Sequence, residues 1–171
     1  MRFRKVLAKL YMRTKQYEKA VDQYQLLLTD SSLESYLNLA KAYRLDKNYL
    51  SEIRVLNQLI PRWPNYPNLY YLQANAYVKI DKLDDAAIKY RKALAIQPKY
   101  EDAYWGIFKL FELRKNTYEA RLVLLDMLKQ FGDKPKTYTN LCRLYTSDSY
   151  FEEALSYCQI AVRLSSKTAE N

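Results

Sequence analysis

Histidine is absent from this chain of 171 residues, and glycine occurs only twice, as Gly106 and Gly132. Without histidine the chain lacks the usual general base, the usual catalytic triad and the ligands of most catalytic zinc sites. Two isolated glycines cannot form a phosphate-binding loop or a dinucleotide-binding fingerprint. We therefore expect that the protein is not an enzyme, with no catalytic residue, no metal site and no cofactor.

Neighbouring carboxylates, such as Asp84-Asp85 and Glu152-Glu153, do not change this expectation. On a helix, adjacent side chains diverge by about 100°, so such a pair does not converge on one substrate. These pairs lie near predicted helix starts, where negative charge is stabilised by the helix dipole. We interpret them as solvated structural residues.

Long apolar segments are also missing. No apolar run approaches the ~20 residues that a membrane-spanning helix requires. The amino terminus, Met1-Arg2-Phe3-Arg4-Lys5, continues directly into a helical pattern without the apolar segment and cleavage site of a secretory signal. These absences favour a cytoplasmic protein with no membrane span.

The chain does contain one motif five times at an almost constant spacing. The five copies are Leu7-Ala8 with Tyr11, Leu39-Ala40 with Tyr43, Gln73-Ala74 with Tyr77, Ile107-Phe108 with Phe111, and Leu141-Cys142 with Tyr145. Nine residues after each aromatic residue comes a mostly small residue, at Ala20, Glu52, Ala86, Ala120 and Ala154. Four residues later come Tyr24, Leu56, Tyr90, Leu124 and Cys158, and two copies close with a proline, Pro64 and Pro98.

This pattern resembles the tetratricopeptide repeat, a helix-turn-helix unit of about 34 residues. The resemblance covers essentially the whole chain and implies five repeats, at about 1–32, 33–66, 67–100, 101–134 and 135–168. The implied fold is all-α: a right-handed α-solenoid of tandem helical hairpins, forming a single array over residues 1–171. Glu52 and Phe108 depart from the family pattern, because the family has a small residue there that lets the two helices of a repeat approach closely.

The apolar periodicity of the third repeat independently predicts two helices. In the third repeat, apolar residues recur at helical spacings up to Ile80, Asp81-Lys82 interrupts them, and they resume from Leu83 at intervals of three and four. The prolines lie between the predicted repeats, where they do not break a helix. The chain is therefore predicted to be all-α.

The predicted ends of the array and its two cysteines leave alternatives open. Repeat arrays generally need polar capping elements, and the sequence shows no extra capping helix. We expect either that the chain is an excerpt of a longer protein or that an exposed end packs against another copy. The first alternative leaves room for a leader or anchor outside this sequence. Cys142 and Cys158 lie on the paired helices of the fifth repeat, where they either form a disulfide or serve as small buried residues.

The family resemblance also implies where a partner binds. In this family the first helix of each repeat faces a concave groove, and positions two, five, six, nine and twelve point towards the ligand. The expected partner-binding residues are Lys5, Lys9, Asn38, Lys41, Tyr71, Asn75, Trp105, Lys109, Asn140 and Arg143. Position nine is basic in four of the five repeats, which suits a protein or peptide segment with acidic and apolar residues. The function implied is that of a scaffold or adaptor; the alternative for the basic residues is an ordinary solvated face.

Two single residues allow two interpretations each. Gly106 is unfavourable within a helix by about 1 kcal/mol relative to alanine, so it either opens the groove beside Trp105 or makes room for Phe108. Trp63 lies in the only proline-dense segment, 61–67, where it is either an exposed contact site or folds back over neighbouring helix ends.

The net charge of +9 supports an alternative function. The first hundred residues contain eighteen basic and nine acidic residues, whereas the remainder is balanced. Such a basic amino-terminal half could bind nucleic acid or an anionic surface, with some of the eighteen tyrosines as stacking platforms. Many tyrosines, however, occupy the core positions of the repeat. Salt dependence discriminates between the two functions, because phosphate contacts weaken steeply as salt increases.

Overall fold

The computed structural model describes residues 2–28 and 32–169, and within these ranges it contains ten α-helices and no β-strand. The helices are α1 Arg2–Arg13, α2 Tyr17–Gln25, α3 Leu33–Leu45, α4 Tyr49–Leu59, α5 Pro67–Lys79, α6 Leu83–Ile96, α7 Glu101–Leu113, α8 Thr117–Phe131, α9 Pro135–Ser147 and α10 Phe151–Ala169. The all-α prediction is confirmed. Each predicted repeat contains one helix pair, although α10 extends one residue beyond the predicted end of the fifth repeat.

The helices are grouped in two compact units, Met1–Ile96 and Gln97–Asn171. In the N-terminal unit each helix from α1 to α5 packs against the next one along the chain. In the C-terminal unit α8 packs against both α7 and α9, and α9 packs against α10. Each unit is therefore a stack of helical hairpins.

The two helices of every hairpin are joined by the same turn. Its central residue has a positive φ of 54–64° in all five hairpins, at Lys15, Lys47, Asp81, Lys115 and Ser149. The next residue donates its backbone N–H to the carbonyl of the repeat's aromatic residue, as in Gln16 to Tyr11 (2.9 Å) and Lys82 to Tyr77 (3.0 Å). This is the Schellman arrangement that satisfies the last carbonyl groups of a helix.

Small residues at two repeat positions let the helices of a hairpin approach closely. In the N-terminal unit these positions are buried, at Ala8, Ala40, Ala74, Ala20, Glu52 and Ala86. Larger apolar residues such as Leu39, Leu56 and Leu59 pack around them and form the core of this unit. The C-terminal unit accommodates Phe108 at one of these positions: the ring is buried and meets Trp105 edge to face, with ring centroids 5.6 Å apart.

Glu52 is the exception among these small residues. Its side chain is 1% exposed, and neither carboxylate oxygen has a hydrogen-bond partner within the described part of the chain. The guanidinium of Arg44 lies 3.9 Å away. Burial raises the pKa of Glu52 to about 7, and Arg44 opposes this shift. The helix pair α3–α4 thus forms around a carboxyl group that is costly to ionise.

The proline-dense segment between α4 and α5 is folded back onto the N-terminal unit. Trp63 is partly buried against the core of this unit, which supports the second of the two interpretations of this residue. The hydroxyl of Tyr70 on α5 donates a hydrogen bond to the carbonyl of Pro64 at 3.0 Å. The segment is thereby attached to the helix that follows it.

Three contacts join the last three helices. Cys142 on α9 and Cys158 on α10 form a disulfide, with Cα atoms 5.1 Å apart. Arg121 on α8 pairs with Asp148, and its guanidinium lies over the ring of Tyr145 on α9, 4.9 Å from the ring centroid.

In the described residues, no helix is both long enough and apolar enough to cross a membrane.

Candidate functional site

The first helices of neighbouring hairpins meet through the residue positions that were predicted to face a ligand. In the N-terminal unit, Lys5 at position five of α1 pairs with Glu34 at position two of α3, with Nζ 3.2 Å from the carboxylate. In the C-terminal unit, the Nζ of Lys136, at position two of α9, lies 4.1 Å from the ring centroid of Trp105, at position five of α7. Positions two and five therefore lie on a shared surface in both units. We call the surface that positions two, five, six, nine and twelve of the first helices form in each unit its first-helix face.

The three predicted lysines of the N-terminal unit differ in whether they form an ion pair. Lys5 is partly neutralised by Glu34. Lys9 and Lys41, at position nine of α1 and α3, are exposed, and neither forms an ion pair with any other residue that the structure describes. Asn38 lies three residues before Lys41 on α3 and is half-buried. The positive charge available on this face is thus concentrated on Lys9 and Lys41.

Tyr71 and Asn75 on α5 are held by the second helix of the same hairpin. The hydroxyl of Tyr90 on α6 donates a hydrogen bond to the side-chain oxygen of Asn75 at 2.6 Å. The rings of Tyr71 and Tyr90 are tilted against each other, with centroids 6.0 Å apart. Burial raises the pKa of Tyr90, so this hydroxyl stays protonated as a donor. Asn75 and Tyr71 are accordingly oriented by the hairpin before any ligand binds.

In the C-terminal unit, Trp105 is fixed from two sides. Its ring lies beneath Lys136, and its indole N–H donates a hydrogen bond to Glu101 at 3.3 Å. Glu101 also accepts a hydrogen bond from Lys134 at 2.5 Å, which lowers the pKa of its carboxyl group. The half-buried indole is therefore a rigid apolar feature surrounded by charged groups.

The remaining three predicted residues of this unit have different surroundings. Lys109, at position nine of α7, is exposed and has no ion-pair partner among the residues described. Arg143, at the same position of α9, pairs with Glu112 and also donates a hydrogen bond to the side chain of Asn140 at 3.2 Å. The amide group of Asn140 in turn donates to the backbone of its own helix, at the carbonyl of Lys136. Among the described residues, Lys109 therefore has no charged or aromatic partner, whereas Lys136 is also exposed but lies over the ring of Trp105.

Lys136 and Glu112 are part of this face but were not among the ten predicted residues. Both lie at repeat positions, two and twelve, that the family resemblance already places towards the ligand. The repeat register was therefore a signal sufficient to find them. Their side-chain types alone did not indicate a role. The contact of Lys136 with the ring of Trp105 and the ion pair of Glu112 with Arg143 appear only in the structure.

The described part of the chain offers no cluster of three or more cysteine, aspartate or glutamate side chains able to hold a metal ion. Three carboxylates on or beside the two faces are engaged with cations: Glu34 with Lys5, Glu101 with Lys134 and Glu112 with Arg143. The arrangement is suited to recognising a charged and partly apolar surface.

Comparison with known proteins identifies the repeat and the fold. Residues 67–100, which contain α5 and α6, match the family described as Tetratricopeptide repeat. MamA has a crystal structure that superposes with a TM-score of 0.80 at 19% identity, covering 96% of this chain and 97% of that chain. TTC0263, a thermophilic TPR protein in Thermus thermophilus, has a TM-score of 0.63 at 20% identity, covering 96% and 91% of the two chains. Among curated proteins, no sequence matches.

These similarities bear on the predictions in different ways. The third hairpin is a tetratricopeptide repeat, and the ten helices of the described residues are consistent with five repeats. The fold is that of tetratricopeptide-repeat solenoid proteins. This confirms the family resemblance and the predicted fold class. The repeat boundaries and the ten predicted partner-binding residues stay predictions.

Proposed function

We propose that this chain of tetratricopeptide-repeat fold is a protein-interaction scaffold that binds a partly acidic segment of another protein on its first-helix faces. Stacked repeats of this kind present extended surfaces to a ligand, and proteins of this fold generally act as non-enzymatic scaffolds. The fold alone does not select a partner, so the proposal depends on the residues of the two faces.

The observation that carries the proposal is the recurrence of available cations at one repeat position. Lys9, Lys41 and Lys109 all occupy position nine of a first helix, all are exposed, and none is ion-paired to another described residue. Lys5 and Arg143, by contrast, already have carboxylate partners. A ligand with acidic side chains can therefore gain new charge pairs at these three lysines without breaking existing ones. Such pairs provide steering and register more than raw affinity.

Trp105 supplies the apolar part of the proposed recognition. Tryptophan is among the residue types that most often contribute a large share of interface energy, particularly when its orientation is fixed in advance. Here Lys136 and Glu101 hold the indole on two sides. An apolar side chain of the ligand that packs against this ring would thus lie near Lys109 and Lys136, so acidic residues beside it in sequence would find a cation.

The structural roles of the tyrosines weaken the alternative of nucleic-acid binding. The hydroxyl of Tyr43 accepts a hydrogen bond from Gln25 at 2.7 Å. The ring of Tyr145 packs against the ring of Tyr157, with ring centroids 5.1 Å apart, and the guanidinium of Arg121 lies over it. These rings therefore serve the hairpins and are poorly placed to stack on bases. We retain nucleic-acid binding as an outcome of the test below.

The test is a binding assay on an array of acidic peptides that each contain one or two large apolar residues. Charge-reversed peptides and a single-stranded oligonucleotide serve as the other probes. We expect the chain to select acidic peptides, and Lys41→Glu/Lys109→Glu to reduce their affinity at least tenfold, about 1.4 kcal/mol, because attraction becomes repulsion at one lysine of each unit's first-helix face.

The matched control is Lys92→Glu/Lys129→Glu, which makes the same change of charge at exposed lysines of the second helices α6 and α8. We expect this control to lose much less affinity. Equal losses for the two double variants would show that only net charge matters and would contradict the proposal. Preferential binding of the oligonucleotide, with a steep loss between low and moderate salt, would favour nucleic-acid binding instead.

A further inference from the structure

The apolar side of α1 is exposed at positions that are buried in other first helices. Phe3 is 88% exposed and Leu10 is 54% exposed, and Leu7 between them is also exposed. They occupy positions three, seven and ten of the first repeat, and we call them the front face. The residues at the same positions of α3, α5 and α9 are at most 4% exposed: Ser35, Leu39, Ala42, Leu69, Gln73, Ala76, Thr137, Leu141 and Leu144.

Packing within the units accounts for this difference. The helix α3 packs against α2, α5 against α4, and α9 against α8, so each of these first helices is covered by the second helix before it. A first helix thus uses positions three, seven and ten to pack on a preceding hairpin. The front face has the chemistry of one side of this interface, and on α1 it is open to solvent.

The opposite side of the same interface is open on the last hairpin. A groove of about 540 Å³ runs along α9 and α10, and its lining is mostly apolar: Thr139, Cys142, Cys158, Ala161, Val162, Ser165 and Ser166. We call it the back groove. Cys158 and Ala161 hold positions 24 and 27 of the fifth repeat. The equivalent residues of α4 and α8, where a following first helix covers them, are Leu56, Leu59, Leu124 and Met127, all at most 1% exposed.

Val162 marks this groove as an unfilled docking surface. It is 71% exposed and lines the groove beside Ala161, which is 7% exposed. The apolar groups of the front face and the back groove are exposed to water, and burying them would gain free energy. An amphipathic helix with apolar residues at positions three, seven and ten, like the first helix of a repeat, would fit this groove.

We propose that the front face of one copy docks in the back groove of a second copy, so that hairpin stacking continues from one chain to the next. The chain itself contains both halves of an interface that it already uses three times within its two units. This continuity with an existing interface is the main reason to assign the groove to a second copy.

Charge complementarity supports the same assignment. Helix α1 contains five basic residues and no acidic one, whereas α10 begins with Glu152 and Glu153. Consecutive helices joined by short connections run antiparallel, so a docked α1 would bring its last residue, Arg13, towards the first turn of α10. Arg13, Glu152 and Glu153 are all exposed and able to pair across such a contact.

The contact is heterologous, because two different surfaces meet. Such contacts build closed rings or open chains, whereas a contact between like surfaces stops at a dimer. The front face uses other positions of the repeat than the first-helix faces do, and the back groove shares only Thr139, at position five of α9, with them. A failure of either proposal leaves the other intact.

The test is sedimentation velocity over a range of concentrations with two single variants that each block one surface. Leu10→Glu blocks the front face and Val162→Glu blocks the back groove. We expect the unmodified chain to form species larger than a dimer as concentration rises, and each variant alone to stay monomeric. An equimolar mixture of the two variants should form a dimer and nothing larger, because only one intact front face and one intact back groove can meet.

The control is Leu50→Glu, which introduces the same charge at a 63% exposed leucine of α4 and should associate like the unmodified chain. Circular dichroism of each variant establishes that the helices are retained. The proposal is overturned if the unmodified chain is monomeric throughout, which would assign the two surfaces to another occupant. It is equally overturned if one blocked variant still dimerises alone, or if the mixture of variants stays monomeric.

Discussion

Glu52 illustrates how one residue can conflict with the fold that contains it. Four repeats have alanine at this position, whereas the second has a carboxyl group that is buried without a hydrogen-bond partner in the described structure. Burial raises the pKa of this group from its ordinary value of 4.5 to about 7. The carboxyl group is consequently easier to ionise in the unfolded chain than in the folded protein.

This difference in pKa predicts a specific pH dependence of stability. Because the folded-state pKa is the higher one, the free energy of unfolding contributed by Glu52 is greatest below pH 4.5 and falls as the pH rises to about 7. The total fall is on the order of 3 kcal/mol. Glu52→Gln keeps the shape and removes the charge, so we expect it to stabilise the protein by about this amount at roughly pH 8 and by much less at roughly pH 5. Urea unfolding measures both values.

The control for this prediction is Glu34→Gln, at a carboxylate that is 62% exposed and pairs with Lys5. Surface pairs of this kind contribute about 1 kcal/mol or less, so we expect no comparable pH-dependent gain. If Glu52→Gln had the same effect at both pH values, the buried carboxyl group would not be the cause.

At the residue scale, the sequence located the anomaly but not its consequence. The repeat register identified Glu52 and Phe108 as departures from a small residue. It could not show that Phe108 finds an aromatic partner in Trp105 while Glu52 finds only Arg44 at 3.9 Å. Such outcomes depend on neighbours from other helices, which periodicity within one helix does not describe.

At the scale of elements, the five hairpin turns share a geometry that usually calls for glycine. The residue with positive φ after each first helix is lysine, aspartate or serine. For a residue with a Cβ atom, this left-handed conformation costs about 1–2 kcal/mol. Glycine avoids this cost. It lowers the free energy of unfolding by about 0.5–1 kcal/mol, however, because it loses more conformational entropy on folding than other residues do.

These magnitudes predict that a glycine at the turn stabilises the protein. For Lys47→Gly, at φ 60°, we expect the free energy of unfolding to rise by about 0.5 kcal/mol, measured by urea unfolding. Lys47→Ala removes the same charge but keeps the Cβ atom, so it should give no gain. A lower stability for the glycine variant than for the alanine variant would show that the turn is not strained.

The elements themselves were the most predictable part of the molecule. The resemblance to a repeat of two helices, present five times, predicted the ten helices of the described chain, and the apolar spacing of the third repeat agreed with it. The Schellman turns were not predicted, because the chain has no glycine there to signal them. Their consistent geometry follows from the hydrogen bond to the repeat's aromatic residue, which local sequence composition does not reveal.

At the scale of the whole molecule, the repeat predicted which surface each unit presents but not how its charges are balanced. The sequence showed basic residues at position nine in four of the five repeats and did not distinguish among them. In the structure, Arg143 is neutralised by Glu112, whereas Lys9, Lys41 and Lys109 stay exposed. The sequence contains all these residues, but pairing across neighbouring first helices depends on distances between hairpins. We therefore propose that partner binding is concentrated on Lys9, Lys41, Lys109 and Trp105.

The most direct test of this account is a titration of the isotope-labelled chain with the tightest-binding acidic peptide, followed by nuclear magnetic resonance. We predict that the perturbed backbone amides cluster on the first helices α1, α3, α5, α7 and α9, with the largest changes around Lys41, Trp105 and Lys109. The indole N–H of Trp105 should shift with them. Changes concentrated on the second helices, with α4 and α8 affected and Trp105 unchanged, would contradict the proposal that the first-helix faces bind the partner.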